Sequence, residues 1–592
     1  MHDINMNDVS SGNFDRGRIK DVSGPMVVAE TDFSVRMFEA VRVGPLELLG
    51  EVVRIRSSEA EIQVCDDTTG LRVGEEVLFT RELLGVELGP GLLGQVLDGA
   101  GRPAGGPKNA LPEGKVWRFI PSVGVGDPVG PGDILGTVPE GTRFLHRVLC
   151  PLNAVGGRVA WVAREGDRSV RECVCRLEDG TELALSQRRE VRIPRRGGVR
   201  LPLDRPLFTG QRVLDTLFPL AVGGVALLSG EFGTGKTVMQ QALARCCAAD
   251  VVVCVSCGER GNETAEIMER FSTLTAPCSG APLMERTILI ANPSNMPPAG
   301  RDVAVCLGMT AAEYYRDMGY GVLVLIDSLS RWAEALRQER HPADLDTRLA
   351  RICERAGRME PLGRPSRQGS VTIVGAVSPW GGDFSDPVTQ TALRLSGASW
   401  RLDKNLARSR RFPAIDRSAS WSLYALTDAF VADASVADAS VGEAGEDWPE
   451  LKEYLKSVML RARELEDVRR AGRTGLSEED KWVLYHAESL KVLYLQQSAC
   501  DAASFPKRSA HLLRLLKALD GRARKAINSG LSCGEIASVA VRPPAALHAV
   551  PKASGTSEKD LPAGVEEWLA LLNAKLADGT GPAGPEKAGG EA

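Results

Sequence analysis

Apolar and polar positions alternate over short runs through the first two hundred residues, then give way to strand-and-helix units. Met26–Ala29, Glu51–Ile55 and Glu61–Cys65 are β-rich runs, the last followed by the turn signal Asp66–Gly70. Short strands at this spacing predict a small antiparallel β-barrel over 17–95. Residues 96–200 stay β-like and are punctuated by glycine and proline between Gly124 and Gly136 and at Gly156-Gly157, which predicts a separate inserted β domain. Over 201–430, strand-sized apolar runs at 224–229, 251–257, 287–291, 321–327 and 371–378 are separated by helical stretches. That alternation predicts a parallel sheet with crossover helices. A Leu-, Ala-, Lys- and Arg-rich stretch opening at Pro449–Leu455 predicts a C-terminal helical domain over 448–575. Residues 1–16 read as a flexible N-terminus, 431–447 as a linker and 576–592 as a disordered tail. Within the linker, Val431–Ser435 is repeated as Val436–Ser440, too short a period for a solenoid and read as a duplicated surface loop.

One element in this layout carries chemistry on its face. The run Val225–Ser229 is followed by Gly230, Glu231, Phe232, Gly233, Thr234, Gly235, Lys236 and Thr237, a complete phosphate-binding loop between a strand and a helix. The glycines let backbone N–H groups converge on phosphate oxygens, Lys236 brings charge to the β- and γ-phosphates, and Thr237 offers a hydroxyl to Mg²⁺. The helix from Val238 onward points its N-terminal dipole at the anion. A nucleoside triphosphate is the implied ligand.

Composition narrows the class without changing it. A hydrophobic content of 43% and a charged content of 25% are those of an ordinary globular protein. A net charge of -5 gives no support to a globally basic nucleic-acid binder. The longest apolar runs are strand-sized and far short of a membrane span, and Met1–Asn5 opens no secretory signal. The 13 cysteines are read as reduced thiols. Cys254-Val255-Ser256-Cys257 lies in a strand pattern without a second pair at zinc-finger spacing, and so reads as buried strand cysteines, as does Cys173-Val174-Cys175. Mg²⁺ arriving with the nucleotide is the one metal the chain predicts.

In a parallel sheet, ligands sit beyond the carboxyl ends of the strands. The strand 251–257 runs into Gly258-Glu259-Arg260, which puts a carboxylate and a guanidinium at that edge. Glu259 suits the polarising of an attacking water and Arg260 the γ-phosphate, although a charged helix start would give the same pattern. The strand 321–327 ends in Asp327, a Walker-B-like acid that would hold Mg²⁺ through water. Arg331 is a second candidate for the γ-phosphate and suits a structural role equally on spacing alone.

These runs, with Ala291–Pro297, Asp327–Arg337, Gly375–Ser385 and Arg411–Ile415, resemble the catalytic A subunit of V-type and archaeal-type rotary ATPases from about residue 17 to 540. The resemblance implies a multidomain α/β chain with an N-terminal β-barrel, an inserted β domain, a RecA-like P-loop parallel-sheet domain and a C-terminal helical bundle. It implies ATP hydrolysis or synthesis coupled to H⁺ or Na⁺ transport, with Lys236, Glu259, Arg260, Asp327 and Arg331 in the chemistry, Thr237 and Asp327 on Mg²⁺, and Gly230 through Val238 with Phe412 holding ATP or ADP. It implies a hexamer alternating with a non-catalytic B subunit that donates an arginine finger. Central rotor stalk and peripheral stalk subunits would be further partners, with the membrane sector contacted indirectly and no nucleic acid. The location implied is peripheral, on the cytoplasmic side of a membrane. The second reading is a divergent A-like subunit whose nucleotide binding is mainly structural or regulatory; the intact site residues favour catalysis.

The chain departs from the family pattern in places. A Gly- and Glu-rich stretch usual after Arg337 is reduced to Gln338–Leu345, which bears on rotor contact, and the segment between Pro103 and Trp117 is short. Leu329 stands where threonine is usual, Trp380 for a proline, and Asp416-Arg417 for Asn-Trp. Leu495–Cys500 lacks the usual final aromatic, which bears on closure of the adenine pocket.

Overall fold

A computed structural model of the chain describes residues 14–424, 447–497 and 507–540 apart from short gaps at 104–110, 113, 142–143, 196, 277–279, 339–344 and 471–474, with a few further residues between 566 and 574. The duplicated loop at 431–440, residues 339–344 of the shortened segment after Arg337 and the C-terminal tail lie outside the described residues. The described chain forms two compact units, one drawn from residues up to 207, 220–404 and 416–424, the other from 208–219, 405–415 and residues from 447 on.

The first unit begins with six strands, β1 (Asp15–Ser23), β2 (Met26–Glu30), β3 (Glu39–Val43), β4 (Leu48–Arg56), β5 (Glu59–Val64) and β6 (Glu76–Leu83), closed into a barrel in the order β1-β2-β5-β4-β3-β6. Alternate residues face inward. Ile19, Val27, Val41, Val52, Ile62 and Phe79 form the barrel core. Two boundaries differ from the sequence expectation. Asp15 and Arg16 belong to β1, paired with Phe79 and Leu78, so part of the expected flexible terminus is barrel. The barrel also closes before residue 95, because β7 (Gly85–Leu88) leaves it to pair with a later strand, while β8 (Val96–Asp98), expected in the inserted β domain, joins the large sheet.

The inserted region is built of β9 (Val116–Pro121), β10 (Pro128–Val129), β11 (Ile134–Glu140), β12 (Phe144–Leu149), β13 (Gly157–Val162), β14 (Gly166–Ser169), β15 (Cys173–Leu177) and β16 (Glu182–Ala184) in two four-stranded sheets. It returns through β17 (Gln187–Glu190), the partner of β7. Both Cys173 and Cys175 sit on β15 as free thiols. After β18 (Val199–Leu201), a short pair is made by β19 (Pro206–Leu207) and β20 (Leu220–Ala221); the helix α1 (Arg212–Leu217) between them belongs to the second unit.

The large sheet carries the phosphate loop. Its strands β21 (Val225–Ser229), β22 (Val251–Cys257), β23 (Thr287–Asn292), β24 (Gly321–Asp327), β26 (Gly369–Val377), β27 (Ala398–Arg401) and β28 (Trp421–Ser422) are joined with β8 along the main path in the order β28-β27-β21-β26-β24-β22-β23-β8, while β25 (Gly357–Glu360) pairs off that path with β26 and β18. Every residue of β26 is buried, as expected of a parallel strand covered on both faces. The covering helices are α2 (Lys236–Cys246), α3 (Gly261–Thr273), α4 (Pro298–Asp317), α5 (Leu329–Gln338), α6 (Leu345–Glu354) and α7 (Pro387–Leu395). The long helix α4 is buried along nearly its whole length. Cys254 and Cys257 lie on β22 without a disulfide, and burial pushes both thiols up.

The second unit is helical. After α8 (Lys404–Arg408), whose first residue closes the first unit, it contains α9 (Trp448–Arg470), α10 (Glu478–Leu490), α11 (Lys507–Asn528) and α12 (Cys533–Ala540), with a π-helical turn at Lys491–Leu495. Ser477 caps α10 by accepting from the Asp480 backbone N–H at 3.1 Å. Its core places the Trp482 indole N–H 2.9 Å from Asp520 and the Tyr454 hydroxyl 2.7 Å from His486 Nε2. Among the described residues no helix is long and apolar enough to cross a membrane.

Candidate nucleotide site

The strand β21 ends at Ser229, and the chain turns through Gly230–Gly235 before α2 begins at Lys236. Gly233 and Gly235 adopt φ of 79° and 96°, a left-handed backbone that a Cβ disfavours, which is why this loop needs glycine there. The Lys236 side chain curls back over the loop, its Nζ donating to the carbonyl oxygens of Gly230 and Glu231, each at 2.8 Å. Burial lowers the Lys236 pKa, while the negative charges of Asp327, Glu259 and Glu231 act in the opposite sense. Lys236 therefore stands in the field of three acids from three parts of the fold. Phe232 and Val238 are exposed on the loop and first helical turn.

Thr237 lies next to the end of β24. Its hydroxyl donates to Asp327 Oδ2 at 3.2 Å, and Gln240, one helical turn on, donates to the Ile326 carbonyl at 3.2 Å. Asp327 is buried, which raises its pKa, against the hydrogen bond from Thr237 and the charge of Lys236. A hydroxyl and a carboxylate in contact, both hard oxygen donors, fit Mg²⁺. They are the residues of this chain that could hold it.

Beyond β22, Gly258 has φ of 71°, and a Cβ there would come within 3.2 Å of the Arg331 Cβ, so the chain reverses tightly against α5. This turn delivers Glu259, whose carbonyl accepts from the Ser294 N–H at 2.8 Å. Arg331, on the first turn of α5, reaches across to donate to the Gly258 carbonyl and lies 3.3 Å from the Glu259 carboxylate. Glu259 is pushed up to about 8, first by burial, then by donating its proton to Glu263 and by the charge of Asp327. Glu263 is correspondingly held below the ordinary carboxylate range, chiefly by accepting that hydrogen bond. A carboxyl that exchanges its proton near neutral pH suits general acid–base work.

The structure thus gathers Lys236, Thr237, Glu259, Asp327 and Arg331 at one edge of the sheet. Arg260 caps α3 and is exposed beside them. Phe412 lies in the other unit, 44% exposed, its carbonyl accepting from the Gln497 N–H at 2.8 Å. Two members went unassigned by the sequence. Glu263, one helical turn from Glu259, shares its proton; the i, i+4 spacing on a helix start was the available signal. Lys404 pairs with the Glu231 carboxylate at 2.5 Å, and their separation of well over a hundred residues left no local signal.

The comparisons with known proteins agree along the length of the chain. Residues 19–81 match the β-barrel domain of the ATP synthase alpha/beta family, 108–192 its barrel-sandwich domain and 210–422 its nucleotide-binding domain. Residues 438–536 match the C-terminal domain of V and A type ATP synthase. The A subunit of the A-type ATP synthase of Methanopyrus kandleri is 44% identical over 553 residues, 88% of this chain and 92% of that protein. The corresponding protein of Thermococcus sibiricus is 42% identical over 558 residues, covering 89% and 94%. The assembled ATPase EscN of the enteropathogenic E. coli type III secretion system shares the fold at a TM-score of 0.57 and 20% identity, over 84% of this chain and 99% of its own. By its identity to the two synthase proteins over almost its whole length, the chain belongs to the A subunits of A-type ATP synthases.

Proposed function

We propose that this chain is the catalytic subunit of a rotary ATPase, hydrolysing or synthesising ATP in a multisubunit complex coupled to H⁺ or Na⁺ transport, with its reaction centre at the end of β21, β22 and β24. The observation that carries the assignment of residues is the convergence of Glu259, Asp327 and Lys236 on one electrostatic neighbourhood, with Thr237 in contact with Asp327. Mg²⁺ held by Thr237 and Asp327 would neutralise phosphate charge when bound with ATP. Backbone N–H groups of the loop and the Lys236 ammonium bind the phosphates. Glu259 orients water and takes its proton, with Glu263 as the neighbouring acceptor. Arg260 is free to approach the γ-phosphate, and Phe412 is the proposed adenine platform.

Arg331 is engaged by Glu259 and Gly258. That supports a site in which a non-catalytic B-type neighbour of an alternating hexamer supplies a further arginine, with rotor and peripheral stalk subunits completing the machine. The chain then works as a peripheral protein on the cytoplasmic face of the membrane. The test is Mg-ATP turnover by the chain alone, by the chain mixed with its B-type partner, and by the same mixture carrying Glu259→Gln. Turnover in the mixture that is lost with Glu259→Gln supports catalysis. Tight Mg-ATP binding without turnover in the wild-type mixture supports the structural or regulatory reading instead.

A further inference from the structure

A second cavity in the first unit lies away from the phosphate loop, where the barrel, the inserted region and α4 meet. It has a volume of about 790 Å³ and is walled by the residues leading into β3, the end of β6, the turn after β12 at Leu152 and Asn153, β17 with the residues after it, and α4. That size suits a small ligand. Its lining carries Arg36, Arg81, Arg188, Arg189 and Arg195.

The acids in the same wall are mostly committed. Glu39 is buried and accepts the backbone N–H groups of Arg36 and Arg81 at 3.0 and 2.7 Å. Glu313 accepts two hydrogen bonds from Arg355, at 3.0 and 2.7 Å, and the Arg195 backbone N–H at 3.1 Å. Glu82 pairs with Arg188 at 3.1 Å, and Glu190 is exposed. On the basic side Arg81 is taken up by Asp15 at 2.7 and 2.9 Å and Arg188 by Glu82, which leaves Arg189 and Arg195 as the less satisfied pair. Arg195 has a side chain only 6% exposed; it pairs with Asp317, yet its Nη1 is buried with no hydrogen-bond partner. Arg189 donates to the amide oxygen of Gln187 at 2.5 Å rather than to a carboxylate. Burial, and next the charge of Arg195, push Arg189 down to about 10. Two guanidiniums that repel each other in a half-enclosed space, one with a buried donor left over, form an electrostatic hole for an anion.

We infer that this cavity is a binding site for a small phosphorylated anion, held by Arg189 and Arg195 and distinct from the nucleotide site on the phosphate loop. The guanidinium fork matches phosphate oxygens in pairs, which favours a phosphate or diphosphate over a monovalent ion. The limited volume of the half-enclosed space and the buried guanidinium favour a small molecule over an acidic polypeptide.

The test is calorimetric titration of inorganic pyrophosphate and, in a parallel arm, of ADP without divalent cation. Both use the full chain carrying Lys236→Ala to suppress binding at the phosphate loop. The expected result is a single salt-sensitive site whose affinity falls at least about tenfold with Arg189→Gln and is partly restored by Arg189→Lys. Arg176→Gln, an exposed arginine on β15 paired with Glu182, leaves it unchanged. Equal affinity for the two probes assigns recognition to the phosphates; tighter ADP assigns a nucleotide. Removal of the Arg189 guanidinium strands no carboxylate, so the variant stays folded, which thermal unfolding verifies. Affinity unaffected by Arg189→Gln, or lowered equally by Arg176→Gln, overturns the site. Binding by the isolated chain that disappears on assembly with the B-type partner overturns the small-ligand reading in favour of an acidic segment of that partner.

Discussion

The guanidinium of Arg331 lies 3.3 Å from the Glu259 carboxylate while also donating to the carbonyl of the preceding residue, Gly258. One arginine thus fixes both the side chain of the proposed water-orienting acid and the backbone turn that presents it. Its charge also lowers the Glu259 pKa against the larger effects of burial and Glu263. Removing that charge raises the Glu259 pKa further. In Arg331→Gln the acidic limb of the kcat/KM–pH profile of the assembled enzyme therefore moves to higher pH, because Glu259 must be ionised to accept a proton. Glu259→Gln abolishes that limb and lowers turnover at least about 100-fold while Mg-ATP still binds. An unshifted profile in Arg331→Gln would refute the coupling.

Leu329 packs over Gly375, where a Cβ would meet the Leu329 Cδ1 at 2.4 Å. Gly375 is central in the sheet, paired with Leu227 on β21 and Ile326 on β24. Gly375→Ala forces the leucine to move and destabilises the chain by about 1–3 kcal/mol in chemical denaturation. Combined with Leu329→Thr, the cost shrinks. Additive effects of the two substitutions would mean that the contact is not the cause.

Arg192 joins two parts of the first unit. It reaches Glu51 of the barrel strand β4 at 2.6 Å and Asp302 of α4 at 2.5 Å, both acids almost fully buried. Burial works against ionisation of Asp302, yet Arg192 and Arg348 hold its carboxyl below the usual range. Arg192→Ala leaves two buried acids short of charge and costs about 3–5 kcal/mol, read by denaturant unfolding. Arg192→Lys recovers only part, since an ammonium cannot bridge both carboxylates with paired donors.

In the helical unit, burial pushes His486 down to about 4, against the opposing charge of Asp520. Its Nε2 is 2.7 Å from the Tyr454 hydroxyl, and its ring stacks on Trp482 at 5.7 Å. The folded state resists protonation that the unfolded chain accepts near 6.5. Stability is therefore full above that pH and falls as the pH drops toward 4, by roughly 3 kcal/mol in all. Denaturation curves at stepped pH should show the loss, and His486→Gln should flatten it. A wild-type curve already flat across this window would refute the account.

Much of the site was legible because its parts are local in sequence. The loop Gly230–Thr237, the acid at the end of β24 and the acid after β22 each follow a strand whose apolar run marks its own end. The topology of a parallel sheet then brings them together without further information. What escaped was non-local. Lys404 meets Glu231 only through folding, and the arginine cavity is assembled from five separated segments. The extent of the barrel was overread for a related reason. The strand β7 has the same apolar alternation as the barrel strands, and only its partner β17 assigns it elsewhere; β8, expected in the inserted β domain, is likewise placed in the large sheet only by its partner β23.

That last assignment has a bearing on how the chain can be made and cut. The strand β8 closes the edge of the large sheet by pairing Leu97 with Ile290. It leaves the ribosome about 190 residues before its partner does, and a contact so distant in sequence forms late in folding. The sheet that carries the nucleotide loop cannot be completed by a fragment beginning after the inserted region, since such a fragment leaves the β23 edge bare and open to pairing with other chains. The inserted region is in effect a detour between two pieces of one sheet, free to lengthen or shorten so long as both of its ends return to the same place.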